Sequence, residues 1–267
     1  MSIDPRIPEP VQPIIKNYVV LTQKRLAGLI NAFYIVGSIA LGEFNEQFSD
    51  IDFITVLNCR VTSLETDHLR NIHQTIDKTH PRWRMSGSYI LSSDLGKPGN
   101  DIALRLHFHH GILHPFAQNS LNSISWWELK NHGIAIVGSD PRKLPFTVNW
   151  DLLLKEMRQN LNSYWLSWTH HPPRLILMYS DWGIQWAVLG VLRHFYTFRE
   201  NSITAKVRAA NYALDHLPLQ WHPLVPEAVS IRQCKKSSSY RLKFGRMVEA
   251  VHLLKYIINR CNAYFVQ

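Results

Sequence analysis

A short apolar run that ends in a Gly-Ser pair most constrains the fold of the first half of the chain. Residues 33–36, Phe-Tyr-Ile-Val, predict a buried strand, which Gly37-Ser38 ends in a tight turn. A second apolar run, Ile51 to Leu57, predicts another strand. Because side chains alternate between the faces of a strand, Asp52 shares its face with every second residue after it. The sequence therefore predicts two strands of a sheet, separated by a turn and an acidic segment.

Two helices and three more strands extend this pattern. Apolar positions at helical spacing over residues 14–32 predict an amphipathic helix that leads into the first strand. A second helix is predicted over residues 63–79, capped by Thr62 because Glu65 completes a capping box, or alternatively by Ser63. Further strands are predicted at residues 85–91, 103–108 and 134–138, with a polar loop at 92–100.

The second half of the chain is predicted to be helical almost throughout. Helical spacing covers residues 151–168, 174–199, 205–216 and 240–263, and prolines separate these segments. The change in pattern predicts a domain boundary near residues 140–149. We therefore expect an α/β domain at residues 1–145 and a helical domain at residues 146–267.

Asp50 and Asp52 form an Asp-x-Asp pair that Ser49 precedes. Residues two apart on a strand point to the same side, so the two carboxylates converge. The Gly37-Ser38 turn offers backbone N–H groups and a hydroxyl to a phosphate. Carboxylate pairs hold Mg²⁺ through oxygen ligands, and that ion can bridge nucleotide phosphates. The spacing predicts a nucleotide site with Asp50 and Asp52 as metal ligands.

The segment from Phe33 to Leu57 resembles the Gly-Ser…Asp-x-Asp signature of the polymerase-β nucleotidyltransferase superfamily. The longer chain is similar to the bacterial aminoglycoside adenylyltransferases of the streptomycin/spectinomycin type. Residues 126–138 look like that family's helix and strand at the domain junction, and residues 193–217 look like its C-terminal helical pair. The resemblance implies a polymerase-β-like α/β (α+β) domain with a mixed sheet, followed by an all-α domain.

The resemblance also implies an activity, which is Mg²⁺-dependent transfer of AMP from ATP to a hydroxyl of a small, aminoglycoside-like acceptor. Gly37, Ser38 and Ser49 then belong to the nucleotide site. Arg193 and Lys206 fall where the family places basic residues on the nucleotide phosphates. Cations there offset the charge of the leaving pyrophosphate.

One residue of the family pattern is missing. The family has a third carboxylate on a later strand, which acts as general base, and its place falls near Gly87 or Ser88. Neither residue accepts a proton at neutral pH. The next strand offers His107, whose unperturbed pKa of about 6.5 suits proton transfer, so His107 is a candidate catalytic residue. The sequence leaves the general base open.

The acceptor pocket also departs from the pattern. Aminoglycosides are polycations, so their sites need acidic side chains and aromatic walls. The family's acidic residue falls at Gly183, and Asp181 lies two residues away. Asp181 and Trp182 are therefore the candidate acceptor-binding residues, although tryptophans at helical spacing are more commonly core residues.

Composition limits the class of protein and its partners. The net charge of +9 favours anionic partners such as a nucleotide triphosphate, and several basic residues crowd residues 232–246. The chain shows neither a signal peptide nor a membrane span, and its three scattered cysteines are typical of reduced thiols. We expect a cytoplasmic monomer or weak dimer that binds neither a membrane nor nucleic acid.

Two other functions fit the same residues. Without a general base, the protein is a nucleotide-binding module with little transferase activity. The basic stretch near the C-terminus instead suits a nucleotidyltransferase that acts on a macromolecule, either RNA or another protein.

Overall fold

A six-stranded mixed sheet organises the first half of the chain, in the order β5-β4-β3-β2-β1-β6. The strands are β1 (Ile30–Ile35), β2 (Ile51–Leu57), β3 (Met85–Leu91), β4 (Leu106–His109), β5 (Ile112–His114) and β6 (Ile134–Val137). The strands β2 and β3 are parallel, and every other neighbouring pair is antiparallel. The mixed sheet that the sequence predicts is confirmed.

The computed structural model describes residues 4–103, 106–109, 111–114, 121–235 and 240–264. The chain divides into two compact units, Met1–Trp150 and Asp151–Gln267. The sheet belongs to the first unit, and the second unit is helical. Across the described ranges, no helix is both long and apolar enough to span a membrane.

Helices cover both faces of the sheet. The helices α1 (Gln12–Arg25) and α3 (Ser63–Thr79) pack on one face, over a core that includes Phe33 and Phe53. The opposite face carries α4 (Ser123–His132), which packs against Ile54 and its neighbours. Because Asp52 and Ile54 lie two apart on β2, Asp52 belongs to the face that α4 covers.

The helix predicted over residues 14–32 is shorter in the structure and ends at Arg25. Gly28 has a φ of +77°, which breaks the helix, and Ile30 already pairs with Leu57 in the sheet. The helix predicted over residues 63–79 is confirmed at both ends. Its capping box is formed by Thr62 and Glu65, because each side chain accepts a hydrogen bond from the other's backbone N–H.

Strand β4 extends one residue beyond its predicted end. The sequence predicts a strand over residues 103–108, whereas β4 runs from Leu106 to His109, and residues 104 and 105 lie outside the described ranges. Strand β5 was not predicted, because its three residues are too few to show an alternating pattern. Together β4 and β5 place His107 opposite His114.

A buried polar network ties α1, α3 and the sheet together. The hydroxyl of Tyr18 donates to that of Tyr89 at 3.0 Å, and it lies 3.1 Å from Oγ1 of Thr55. Nε2 of His73 lies 2.6 Å from the Tyr89 hydroxyl, while the ring of His73 stacks on Phe108 with 3.6 Å between centroids. The two tyrosine hydroxyls, Oγ1 of Thr55 and Nε2 of His73 are therefore paired with one another inside the core.

The second unit has six α-helices within the described residues: α5 (Trp150–Asn160), α6 (Pro172–Leu177), α7 (Asp181–Glu200), α8 (Lys206–His216), α9 (Leu224–Arg232) and α10 (Lys243–Ala263). The segment predicted as one helix over 174–199 is two helices, because Ser180 caps α7 by accepting a hydrogen bond from the backbone of Gly183. Helix α9 was not predicted, since Pro226 reads as a helix breaker. In the first turn, however, a proline removes only an N–H that has no partner within the helix.

Candidate active site

The Gly-Ser turn lies at the end of β1, where the short helix α2 (Gly37–Ala40) begins. The backbone N–H of Val36 donates to the carbonyl of Asp52 at 3.0 Å, so the sheet itself holds the turn beside β2. Gly37 has a φ of +63°, a left-handed conformation that favours glycine. Backbone pairing therefore positions the turn against Asp52.

The close approach of Asp52 leaves no room for a side chain at Gly37. A Cβ atom on Gly37 would lie 2.0 Å from Oδ2 and 2.7 Å from Cγ of Asp52. The hydroxyl of Ser38 is buried and has no hydrogen-bond partner within the part of the chain that the structure describes. A buried hydroxyl without a partner beside a carboxylate fits a phosphate oxygen that accepts its proton.

Asp50 and Asp52 are both half-buried, one just before β2 and the other at its second residue. Oγ of Ser49 accepts a hydrogen bond from the backbone N–H of Asn45 at 3.0 Å, which closes the loop that leads to Asp50. In the described ranges no group of three or more His, Cys, Asp or Glu is arranged to hold a metal ion. The donor set here is therefore a carboxylate pair, which suits Mg²⁺ because that ion usually keeps water and substrate phosphate oxygens among its ligands.

Strand β3 brings serines, not acids, beside this pair. In the parallel ladder Asp52 stands opposite Ser86, and Ile54 stands opposite Ser88. The residue opposite Asp52 on β3 is therefore Ser86. The family resemblance placed the missing acid near Gly87 or Ser88. The next acid, Asp94, is fully buried and pairs with Lys97 at 3.1 Å, so it stabilises the loop after β3.

Two histidines of β4 contact these serines. Nδ1 of His107 lies 2.9 Å from Oγ of Ser88, and Nδ1 of His109 lies 2.9 Å from Oγ of Ser86. Burial, with smaller contributions from the charges of His109 and His114, lowers the pKa of His107 to about 4. Sequence reasoning selected His107 and missed His109. The two-residue alternation along β4 was the signal for His109, because it puts both rings on the face of Asp52.

In the helical unit, Arg193 and Lys206 lie at the junction of α7 and α8. Nε of Arg193 donates to the carbonyl of Thr204 at 3.1 Å, which fixes the chain just before α8. Nζ of Lys206 lies 4.4 Å from the ring centroid of Trp186, a cation–π distance. The two cations that the family resemblance assigned to phosphate binding therefore both have contacts between α7 and the start of α8.

Trp182 is exposed over 44% of its surface, and it stacks on Trp186 with 5.4 Å between ring centroids. Trp165 and Trp168 are buried core residues. Trp165 packs on α7, where a Cβ on Gly190 would lie 2.1 Å from its ring. Trp182 is therefore the most exposed of these four tryptophans and has surface to offer to a ligand.

Asp181 is held by an ion pair. Its Oδ1 accepts a hydrogen bond from Nη2 of Arg246 at 2.7 Å, while Nη1 of Arg246 donates to the buried Glu227 at 3.0 Å. At Gly183, where the family's acid falls, a Cβ would lie 2.1 Å from the carbonyl oxygen of Leu177. No side chain fits at Gly183, so Asp181 is the carboxylate nearest to this position on α7.

The basic stretch near the C-terminus does not form one solvent-facing surface. Arg232 and Arg246 are buried, whereas Lys235 is exposed. Lys236 lies outside the described residues. Some of the basic residues near the C-terminus are therefore buried, and Arg246 is in an ion pair, so they add no charge to an exposed surface.

Comparisons with known proteins give the same division of the chain. Residues 21–86 match the nucleotidyltransferase domain, and residues 163–256 match the C-terminal domain of aminoglycoside adenylyltransferase. The chain is also similar to the crystal structure of spectinomycin adenyltransferase AAD(9) from Enterococcus faecialis with ATP and spectinomycin. That alignment covers 94% of this chain and 99% of the other, with a TM-score of 0.68 and 14% identity. No curated protein sequence matches the chain.

The fold, the Gly-Ser turn and the matched domain define the class: the chain is a nucleotidyltransferase. Its C-terminal domain narrows the class further. Together the two matched domains support a polymerase-β-like nucleotidyltransferase of the aminoglycoside adenylyltransferase type. At 14% identity the likeness to AAD(9) shows a shared fold.

Proposed function

We propose that the protein transfers AMP from ATP to a hydroxyl of a small, aminoglycoside-like acceptor. The observation that carries this proposal is the packing of Gly37 against Asp52, followed in the turn by the buried hydroxyl of Ser38, which has no hydrogen-bond partner among the described residues. This arrangement puts a hydroxyl that can donate to a phosphate oxygen in the same turn as a glycine that packs on a metal-binding carboxylate. The neighbour AAD(9), whose crystal structure contains ATP and spectinomycin, supports ATP and a small acceptor as the substrates.

Asp50 and Asp52 are the proposed ligands of Mg²⁺, which would offset the negative charge of the nucleotide phosphates when it is bound. Ser38 donates its hydroxyl to a phosphate oxygen, and Ser49 orients Asp50 by closing the loop before it. The oxygen of the acceptor hydroxyl attacks the α-phosphorus of ATP. The bond from that phosphorus to the bridging oxygen breaks, and pyrophosphate leaves.

Arg193 and Lys206 supply positive charge to the nucleotide phosphates in this proposal, and their association at the start of α8 supports a joint role. Trp182 and Asp181 bind the acceptor. The exposed ring of Trp182 supplies an aromatic wall, and the side chain of Asp181 is 62% exposed. Its ion pair with Arg246 reduces the charge available to a polycation, which favours an acceptor with few positive charges.

Transfer of labelled AMP tests the proposal. The protein is incubated with Mg²⁺, ATP labelled at the α-phosphate, and either spectinomycin or streptomycin. Asp52→Asn should lower kcat on the order of 10²–10³-fold, the effect typical of losing one group that stabilises charge in a transition state. Asp101→Asn, a change at an exposed carboxylate, is the matched control and should keep full activity. Equal activity of the native protein and Asp52→Asn contradicts the metal assignment.

A nucleotide-binding module with little transferase activity is the second candidate, and the absence of a carboxylate from β3 favours it. Calorimetry distinguishes the two functions. A binding module takes up ATP with Mg²⁺ but adenylylates neither acceptor, whereas turnover on either acceptor excludes it.

A further inference from the structure

Asp52, Ser86 and His109 form one row across three neighbouring strands. Asp52 pairs with Ser86 in the parallel ladder of β2 and β3. The antiparallel ladder of β3 and β4 pairs Gly87 with Phe108, and the same register continued by one residue puts His109 opposite Ser86. Oγ of Ser86 lies 2.9 Å from Nδ1 of His109, so the imidazole leans towards β3 and the carboxylate beyond it.

The row lies on the face of the sheet where the candidate site is. Directly paired residues on neighbouring strands point to the same face, so all three side chains share that face. The opposite face at this end of the sheet is apolar and carries Phe53 and Phe108. Ser86 is 8% exposed and His109 is half-buried, so the hydroxyl is shielded while the ring keeps access to a small ligand.

A second row of three residues, two positions further along β2, provides a comparison within the same protein. It consists of Ile54, Ser88 and His107, with the same distance of 2.9 Å from the serine Oγ to the histidine Nδ1. Here an isoleucine stands where the first row has its carboxylate. Two residues along a strand correspond to about 6.6 Å, so His107 is displaced from the Asp52 row by that distance.

We propose that His109 is the proton acceptor of the transfer reaction and that Ser86 is the positioning residue that orients its ring. This inference rests on the proposed AMP transfer. When Nδ1 of His109 donates to Oγ of Ser86, Nε2 carries the lone pair. The proton of the acceptor hydroxyl moves to Nε2 as its oxygen bonds to the α-phosphorus, and pyrophosphate departs with the electron pair of the broken P–O bond.

Two matched variants test the assignment, His109→Gln and His107→Gln. Glutamine keeps a hydrogen-bonding side chain of similar length but accepts no proton. We expect His109→Gln to lower kcat about 10²–10⁴-fold, the range for loss of a general base, with an unchanged KM for ATP. Its affinity for ATP with Mg²⁺, measured by calorimetry, should equal that of the native protein. The comparison variant His107→Gln should lower kcat by less than His109→Gln does, since the proposal gives the ring of His107 no part in proton transfer.

Rescue by a carboxylate separates proton transfer from a merely structural role. Ser86→Glu places an acid directly opposite Asp52 in the ladder. In the double variant Ser86→Glu with His109→Gln, kcat should recover at least tenfold over His109→Gln alone, because a glutamate can accept the proton instead. Ser86→Ala should lower kcat by about tenfold with an unchanged KM for ATP, the result expected when a ring is misoriented but still present.

The outcomes distinguish failure of this inference from failure of the proposed function. If native protein adenylylates spectinomycin or streptomycin and His109→Gln keeps that activity, the inference is wrong and the function stands. Loss of activity in His107→Gln with retention in His109→Gln assigns the proton to His107 and also overturns it. If the native protein transfers AMP to neither acceptor, the proposed function fails first, and the role of His109 fails with it.

Discussion

Gly37 and Asp52 are packed so closely that a Cβ atom on Gly37 would lie 2.0 Å from Oδ2 of Asp52. The φ of +63° at Gly37 is a second, independent reason for glycine. The hydrogen bond from the N–H of Val36 to the carbonyl of Asp52, at 3.0 Å, prevents the two segments from moving apart. The close packing and the hydrogen bond together link the turn at Gly37 to Asp52, whose carboxylate we propose as a metal ligand.

Replacing Gly37 should lower activity far more than replacing a control glycine does, with a similar loss of stability in both variants. Gly37→Ala must displace the carboxylate of Asp52, and a misplacement of about 1 Å in a catalytic group can lower the rate on the order of 10²-fold. Gly28→Ala is the matched control, since Gly28 has a φ of +77° and nothing within 4 Å of an added Cβ. Both changes should cost about 1–2 kcal/mol of stability through backbone strain. AMP transfer and urea unfolding measure the two effects, and equal activity of both variants would contradict this role of Gly37.

Lys206 should affect ATP binding through its charge. Lys206→Met removes the cation 4.4 Å from the ring centroid of Trp186. If Lys206 contacts a phosphate, the KM for ATP should rise about tenfold or more, since a hydrogen bond to a charged group contributes about 1.5–3 kcal/mol. Lys206→Arg should keep most of the affinity, and the exposed Lys255→Met should change nothing. An unchanged KM for ATP in Lys206→Met assigns the lysine a packing role on Trp186 only.

Arg246 should matter far more for stability than its exposed partner Asp181. The side chains of Arg246 and Glu227 are 4% and 2% exposed, whereas that of Asp181 is 62% exposed. Arg246→Met leaves the carboxylate of Glu227 buried without this cation, which typically costs about 3–5 kcal/mol. Asp181→Asn should cost at most about 1 kcal/mol, because the Asp181 side chain is largely exposed and Arg246 keeps its buried partner Glu227. Urea denaturation of the two variants measures the difference, and similar losses would contradict the burial argument.

The sequence identified the elements whose cause is local and missed those that depend on distant neighbours. Strand β2 and helix α3 were predicted with their observed ends, because alternation on β2 and the capping box of Thr62 and Glu65 are contained within a few residues. Helix α9 was missed because Pro226 suggests a break in the helix. A proline is tolerated in the first turn of a helix, but the local sequence does not reveal that Pro226 lies there.

For the candidate site, too, the sequence predicted the local relationships and missed those between distant residues. The positions of Gly37 and Asp52 could be predicted from spacing along two adjacent strands. The pairing of Ser86 with His109 could not, because it depends on the register between β3 and β4, which tertiary packing sets. The ion pair of Asp181 with Arg246 likewise joins residues far apart in the chain, beyond the reach of any sequence pattern.

His73 should make the protein sensitive to acid. Burial lowers the pKa of His73 to about 3, whereas an unfolded chain has an ordinary histidine pKa of about 6.5. Between these values the unfolded state binds a proton that the folded state excludes. The free energy of unfolding therefore falls as the pH drops from about 6.5 towards 3, by about 1.4 kcal/mol per pH unit for one such histidine.

His73→Gln tests this origin of the acid sensitivity. Glutamine does not titrate, so the unfolding temperature, measured by calorimetry from pH 7 to pH 4, should fall less steeply than in the native protein. Some slope should remain, because the pKa of His107 is also lowered, to about 4. At pH 7 the variant should be less stable, since it loses the ring stacked on Phe108. His170→Gln, a change at an exposed histidine, is the control and should keep the native slope. A native slope in His73→Gln would assign the acid sensitivity to other groups.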